Sequence, residues 1–372
     1  MKLTIDRTAL LRSLAHVQSV VERRNTIPIL SNVLVEAKGD RLSLTATDMD
    51  LAIVEQTGAH VATPGAATVP AHTMYDIVRK LPDGAEVQLE LVADGAQVAL
   101  KAGRSRFTLA TLPKEDFPAT AGGDLPHRFP LSAIDLRGLI DRTKFAISTE
   151  ETRYYLNGIY LHAFSTGKQK SLRAVATDGH RLARVEMPLP EGAENIPGVI
   201  VPRKMVNEIR KLIEEVEGMV EVSLSESRIR FAFNDTILTS KLIDGSFPDY
   251  QRVIPTGNDK VLEVDRRSFR DAVDRVSTIS SEKSRAVKLS LKVNAMTLSA
   301  TSAENGTAVE ELEVKYEGAS LEIGFNSKYL LDVADQIEGE GLQLVLADSV
   351  APTLVRDLAD AMALYVLMPM RV

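Results

Sequence analysis

Cysteine is absent from the chain, which excludes disulfides, thiolate catalysis and cysteine-ligated metal and fits a cytoplasmic protein. The 6 histidines are scattered and none forms an H-x-x-x-H pair, so a zinc or di-iron site is not expected and no metal is assigned. No apolar run approaches the roughly eighteen residues that span a bilayer, so no membrane contact is expected. The start, M-K-L-T-I-D-R, reads as a strand entering a helix, without the apolar core of a signal peptide. There is also no G-x-x-x-x-G-K-[ST] loop of the kind that cradles ATP phosphates, and no cofactor is assigned. Finally, there is no excess of positive charge: the formal net charge of −7 by itself argues against a nucleic-acid binder.

What is present is repetition. V-A-T-D-G-H-R-L-A (Val175–Ala183) has relatives in L-T-A-T-D-M-D-L-A (Leu44–Ala52) and L-S-A-T-S-A-E-N-G-T (Leu298–Thr307). Each is an alternating strand running into a Thr-Asp or Thr-Ser turn. Thr47, Thr177 and Thr301 lie about 130 and then about 124 residues apart, the period of one unit used three times in a chain of this length. Val69, Val201 and Phe325, which precede second helices, keep nearly the same spacing, and so do Phe117 and Phe247.

Within each unit a helix followed by strands occurs twice. Asp6 caps a helix carrying Leu10, Leu11, Leu14, Val17 and Val21, and a second helix covers Ala71–Leu81 before Pro82-Asp83-Gly84. Ser132 caps the third, with Leu136, Leu139, Ile140 and Thr143 on one face, and Arg203–Glu215 forms the fourth. Asp265 caps the fifth, with Phe269, Val273, Val276 and Ile279, and Ser327–Ile337 forms the sixth. The Pro- and Gly-rich segment Asp116–Pro130 reads as a linker, and the chain is expected to end on a strand, L-Y-V-L-M-P-M-R-V. The expected domains are 1–128, 129–253 and 254–372.

The six helical stretches together carry more basic than acidic side chains, so the rest of this acidic chain is more negative still. Arg203, Lys204, Arg210 and Lys211 against Glu208 are the clearest case. Lys and Arg are good helix formers on any solvated face. The alternative is a basic surface shared by the helices, able to attract a phosphate backbone without reading bases.

Six segments resemble the bacterial DNA polymerase III beta subunits, the sliding clamps. They are T-I-P-I-L (Thr26–Leu30), G-R-S-R-F (Gly103–Phe107), R-Y-Y-L-N-G (Arg153–Gly158), A-T-D-G-H-R-L-A (Ala176–Ala183), S-K-L-I-D-G-S-F-P-D-Y (Ser240–Tyr250) and V-L-M-P-M-R-V (Val366–Val372). The resemblance spans the chain and implies an α+β protein of three tandem clamp domains. It implies helices lining an inner surface, antiparallel sheets outside, and a head-to-tail homodimeric ring around duplex DNA. A heterologous interface with the right rotation closes into such a ring.

The same resemblance implies three sets of site residues. DNA contact falls to Arg24, Tyr154 and Tyr155, with Arg203, Lys204 and Arg252; a position that is arginine in the family is His72 here. Tyr154 and Tyr155 read equally well as strand-edge packing. The ring joint matches Ile77, Arg104, Arg106, Phe107 and Leu109 on one side and Ile279, Glu304 and Glu310 on the other, with Gly306 and Thr307 at two positions acidic in the family. Without the resemblance, G-R-S-R-F reads as a charged edge strand.

The third set is a peptide pocket between the second and third domains. Leu156, Thr177, Gly179, His180, Arg181 and Leu182 come from the middle of the chain, followed by Pro248, Arg252 and Val253. Asn326, Tyr329 and Val350 join Val366, Met368, Pro369, Met370 and Arg371 from its end. Leu156, Leu182, Val253 and Val366 are expected as apolar walls, with Met368 and Met370 adapting to several partners. Ordinary core packing is the competing account of Met-Pro-Met.

The implied function is a non-catalytic, ring-shaped processivity factor on duplex DNA, cytoplasmic and nucleoid-associated. Its implied partners are a second copy, the polymerase alpha subunit, the clamp loader, other polymerases, and repair and initiation-control proteins carrying short linear motifs. Two rival readings stand beside it: a metabolic enzyme using Asp178, His180 and Arg181 for acid–base and anion-binding work, and a repeat scaffold that never meets DNA.

Overall fold

The computed structural model describes residues 1–92, 95–119, 123–280 and 285–372. Among the described residues there are six α-helices: α1 (Arg7–Gln18), α2 (Ala71–Lys80), α3 (Ala133–Asp141), α4 (Arg203–Leu212), α5 (Arg266–Ser277) and α6 (Ser327–Ala334). None is long and apolar enough to cross a membrane.

The caps form where the side chains allow. The Asp6 carboxylate accepts from the amides of Thr8 and Ala9 at the start of α1, Asp265 from Ser268 in α5, and Asn326 from Lys328 in α6. Apolar spacing then turns one face of each inward. Leu10, Leu14 and Val17 of α1 are buried, as are Phe269, Val273 and Val276 of α5. α2 stops one residue short of the sequence expectation, at Lys80 rather than Leu81, and two helices stop further short: α4 ends at Leu212 rather than Glu215, and α6 at Ala334 rather than Ile337. In both the chain continues as turns, closed by Val216 N donating to the Ile213 carbonyl and Ile337 N to the Ala334 carbonyl.

By its internal contacts the chain divides into two compact units. The first comprises Met1–Ile134, Glu191–Ile196 and Asn207–Leu242, and the second Asp135–Pro190, Pro197–Val206 and Ile243–Val372. Strand pairing explains the division. In the first unit, Thr236–Lys241 lies antiparallel beside Leu51–Gly58 and joins strands from the middle of the chain to strands from its beginning in one 8-stranded sheet. In the second, Ala363–Leu367 lies beside Arg181–Pro188 and joins the C-terminal strands to the middle ones in a 9-stranded sheet. Repeat boundaries in sequence are thus crossed by continuous hydrogen-bonded ladders.

Each unit has a smaller sheet as well. In the first unit it is 5-stranded and ends on Ser105–Ala110; in the second it is 4-stranded and has Gly306–Glu313 at one edge. Helices pack on the sheets: α1 lies against Arg41–Thr47 and Leu51–Gly58 and beside α2, and α5 lies against Ala295–Ser302 and Gly306–Glu313 and beside α6.

Two sequence expectations need correction. The segment Asp116–Pro130 is not linker throughout: His127–Ser132 is a strand paired with Met219–Leu224, and residues 120–122 lie outside the described residues. Its alternation buries Phe129 and Leu131 while Pro130 faces out, and its place at the end of the 8-stranded sheet tolerates a residue without an N–H. The C-terminal strand ends at Leu367, before Pro369. Beyond it Met368 donates its amide to the His180 carbonyl at 2.9 Å, and Met370 to the Gly324 carbonyl at 2.9 Å.

Candidate functional site

The turn Thr177–Arg181 organises the largest group of expected site residues, all within the second unit. Thr177 Oγ1 donates to the Arg181 carbonyl (2.7 Å) and accepts from the Gly179 amide (3.1 Å). Asp178 Oδ1 accepts from the amides of His180 and Arg181. Gly179 stands at φ +88°, where a side chain is strained, and a Cβ there would come within 2.5 Å of Arg153 Nη1.

Arg181 is buried, and every part of its guanidinium is engaged. It donates to Asp178, to Asp332 and, at 2.6 Å, to the Phe145 carbonyl. Its charged carbon lies 4.4 Å from the centroid of the Tyr329 ring and 5.1 Å from that of Phe145. Tyr329 stacks in turn on His180, with ring centroids 6.5 Å apart. Burial lifts the Tyr329 phenol above its ordinary pKa, and the Asp178 charge adds to the shift.

Leu182 pairs with Val366, and both are buried in a cluster with Val175, Tyr250, Leu354 and Leu364. They form a floor rather than an open wall. Leu156 is likewise buried, at the end of the 3-10 helix Glu151–Leu156. The surface above is apolar and open at Val253, Val350 and Met368, while Pro248, Arg252 and Arg371 are exposed and Pro369 and Met370 half-buried. Gly324 lets the tail approach closely: a Cβ there would lie 2.6 Å from the Met370 carbonyl oxygen and collide with Val372.

The residues expected to meet DNA occupy both units. In the first, Arg24 is exposed just beyond α1. His72 gives its Nε2 to the Val21 carbonyl at 3.0 Å, so the imidazole that replaces a family arginine is tied to the end of α1. In the second unit Tyr154 and Tyr155 lie in the Glu151–Leu156 3-10 helix, not on a strand edge, with their rings edge-on at 5.8 Å. A backbone relay links them to α4: the Asn157 amide donates to the Tyr154 carbonyl, and the Arg203 amide to the Asn157 carbonyl. Lys204 is half-buried beside Arg203, while Arg252 is exposed and paired with Asp249.

The expected joint residues lie on or beside the outer strands of the two smaller sheets. Along Ser105–Ala110, Arg106 and Phe107 are exposed and Leu109 is buried; Arg104 precedes the strand and Ile77 lies half-buried on α2. Along Gly306–Glu313, Val309 is 70% exposed and Glu311 and Glu313 face solvent. Glu310 accepts two hydrogen bonds from Arg275, which hold its carboxyl below the usual range. Glu304 sits in the preceding hairpin turn, and the Ile279 carbonyl accepts from Asn305.

Models of the N-terminal, central and C-terminal domains of the DNA polymerase III beta subunit match residues 1–121, 131–249 and 251–371. The chain belongs to the DNA polymerase III beta subunit family. It is 56% identical over 372 residues to the beta sliding clamp of Caulobacter vibrioides, covering 100% of both chains. It is 40% identical over 374 residues to that of Escherichia coli K12, again covering 100% of both. Among solved structures, the DnaN sliding clamp of Bartonella birtlesii bound to griselimycin superposes with a TM-score of 0.97 at 51% identity, covering 100% of each chain. The sliding clamp of Pseudomonas aeruginosa bound to griselimycin gives 0.95 at 42%, also covering 100% of each.

Several groups that build this site leave no local trace in the amino-acid sequence. Asp332 and the Phe145 carbonyl, which anchor Arg181, lie 151 and 36 residues from it in sequence, and no local pattern announces them. Val309 was legible as an exposed apolar residue in an alternating strand. The acid–base reading of Asp178 meets a geometric obstacle, because that carboxylate already caps its own turn and holds Arg181. Among the described residues, no cluster of His, Asp and Glu is arranged to hold a metal ion.

Proposed function

We propose that two copies of this chain join head-to-tail into a closed ring that slides on duplex DNA and tethers the replicative polymerase. The observation that carries this reading is the opposite character of two outer strands. Ser105–Ala110 offers Arg106 and Phe107 beside Arg104, whereas Gly306–Glu313 offers Val309, Glu311 and Glu313. A strand with unpaired backbone groups is a template for another chain, and complementary charge sets its orientation. Because the two patches differ, the contact is heterologous and closes only as a ring.

In that ring the helices face a basic bore, with Arg24, Tyr154, Tyr155, Arg203, Lys204 and Arg252 toward the duplex. Retention is topological, so the protein needs no tight grip and no catalysis. The expected domains, 1–128, 129–253 and 254–372, are the three arcs of each half-ring. The surface around Gly179, His180, Val253, Val350 and Met368 takes short apolar motifs of the polymerase alpha subunit, the clamp loader, other polymerases and repair or initiation-control proteins. The loader supplies the ATP chemistry, and the setting is the bacterial cytoplasm at the nucleoid. The decisive experiment loads the protein on nicked circular DNA and then linearises it. The dimer stays on the circle and runs off free ends; equal retention on both forms refutes the ring.

A further inference from the structure

The first unit contains a cavity of about 360 Å³ lined by Met49, Pro118, Leu125, Arg230, Ile237 and Lys241, among others. Its position follows from the repeat. The turn Thr47–Leu51 reproduces Thr177–Arg181 bond for bond: Thr47 Oγ1 donates to the Leu51 carbonyl and accepts from the Met49 amide, and Asp48 accepts from Asp50 and Leu51. Met49 even adopts φ +81° where Gly179 has +88°. Placing Thr47 on Thr177 places Ala52 on Leu182. Ala52 faces Thr239 as Leu182 faces Val366. One strand further out Arg230 faces Thr239, as Leu354 faces Val366. Pro118 follows Phe117 as Pro248 follows Phe247.

The cavity is therefore the repeat counterpart of the C-terminal peptide surface, with its chemistry changed. Leu354, Val366 and Met368 correspond to Arg230, Thr239 and Lys241. An apolar portion survives, since Met49 is 52% and Ile237 38% exposed. The cations are not saturated by their neighbours. Lys241 holds Asp50 at 2.9 Å in an exposed pair, and the Arg230 guanidinium reaches Glu221 only at 3.7 Å and the Ser223 hydroxyl at 3.4 Å. Its Nε is buried without a hydrogen-bond partner. A carboxylate offers such a guanidinium a two-pronged acceptor.

We propose that this cavity is a second linear-peptide site, selective for an acidic segment carrying one apolar anchor. The inference rests on the reading of the C-terminal surface as a peptide site, from which it borrows the groove but not the specificity. The apolar residues provide for an anchor side chain, which a bare phosphate backbone lacks.

The test titrates the full chain against a fluorescein-labelled Glu-Asp-Leu-Phe-Glu-Asp peptide, read by anisotropy. Saturable binding is expected, weakened about tenfold or more by Arg230→Glu and by the more exposed Lys241→Glu, and changed less than about twofold by Met368→Ala. Any binding of the neutral Gln-Asn-Leu-Phe-Gln-Asn analogue should be insensitive to Arg230→Glu, since it lacks the carboxylates that the guanidinium takes. Unfolding melts of each variant separate lost binding from lost structure. No saturation, or loss that follows Met368→Ala instead of the charge reversals, overturns the proposal. Labelled oligothymidylate that binds with Arg230 dependence while the peptide stays inert overturns it in favour of nucleic acid. A neutral Leu-Phe peptide run in parallel reports on the C-terminal surface alone: its binding, sensitive to Met368→Ala, keeps that reading even where the acidic site fails, and its absence condemns that reading separately.

Discussion

The turns at Thr47 and Thr177 are built by the same hydrogen bonds and lead into the same kind of paired strands, yet they present different surfaces. At position three one has Met49 in a left-handed conformation and the other Gly179. At position five one has Leu51, buried in the core, and the other Arg181, also buried but held by Asp178, Asp332 and the Phe145 carbonyl. A backbone motif set by local Thr and Asp bonds can thus be kept while the side chains around it are reassigned, because none of its bonds uses the variable positions' side chains. Where the C-terminal copy is apolar, the N-terminal one is cationic. A similar contrast of sign separates the outer strands, basic at Arg106 and acidic at Glu311 and Glu313.

The largest effect should come from Arg181→Ala. It leaves Asp332 and Asp178 without their buried partner and should cost about 3 kcal/mol or more in denaturant unfolding, whereas loss of a surface pair is worth under about 1. A loss under about 1 kcal/mol would mean that Arg181 is not the strut the comparison makes it. Next, exchanging the third turn residue should be asymmetric. Gly179→Met should cost about 1–2 kcal/mol through the strained backbone and the displaced Arg153, while Met49→Gly should stay within about 0.5 kcal/mol of wild type. Equal and opposite changes would break the equivalence of the two turns.

Deleting Met368–Val372 should separate the grooves functionally. The tail touches Gly324 and His180 in the second unit only, so binding of an apolar peptide should fall about tenfold or more while the dimer mass and any acidic-peptide binding persist. Unchanged apolar-peptide affinity in the titration would remove the tail from the site. The smallest effect concerns the acidic strand. The Arg275 hydrogen bonds hold the Glu310 carboxyl below its ordinary value, so the pair's contribution is complete above that value and fades as pH falls through the lowered one. Glu310→Gln should therefore cost under about 1 kcal/mol at neutral pH and nothing in strong acid, as pH-dependent melts would show. A penalty independent of pH would argue that packing, not charge, holds that edge.

Much of the candidate site could be read from the chain because its signals are local. Thr177, Asp178 and Gly179 make a turn whose bonds span four residues, and the capping acids Asp6 and Asp265 act within three. The exposure of Arg106 follows from its charge, but that of the adjacent Phe107 does not follow from strand alternation, which puts neighbours on opposite faces. The anchor of Arg181 was not readable, since nothing near residue 181 points to residue 332. Nor was the fate of Leu182 and Val366: an apolar residue in an alternating strand serves equally as wall or floor until the covering layer, here Tyr250 with Leu354 and Leu364, is known. His127–Ser132 was hidden because Pro130 breaks the usual strand composition, and only its place at the end of the sheet makes it acceptable.

The amino-acid sequence alone determined the period of the three units, the six helix positions to within a few residues, and the chemistry of each turn, since these depend on interactions between near neighbours. Only the tertiary structure decided that the strands of successive repeats join into shared sheets, and that one turn therefore opens beside Leu354 and Val366 while its twin opens beside Arg230 and Thr239. Long-range strand register chooses those neighbours, and register is settled by which faces are buried when the whole chain packs.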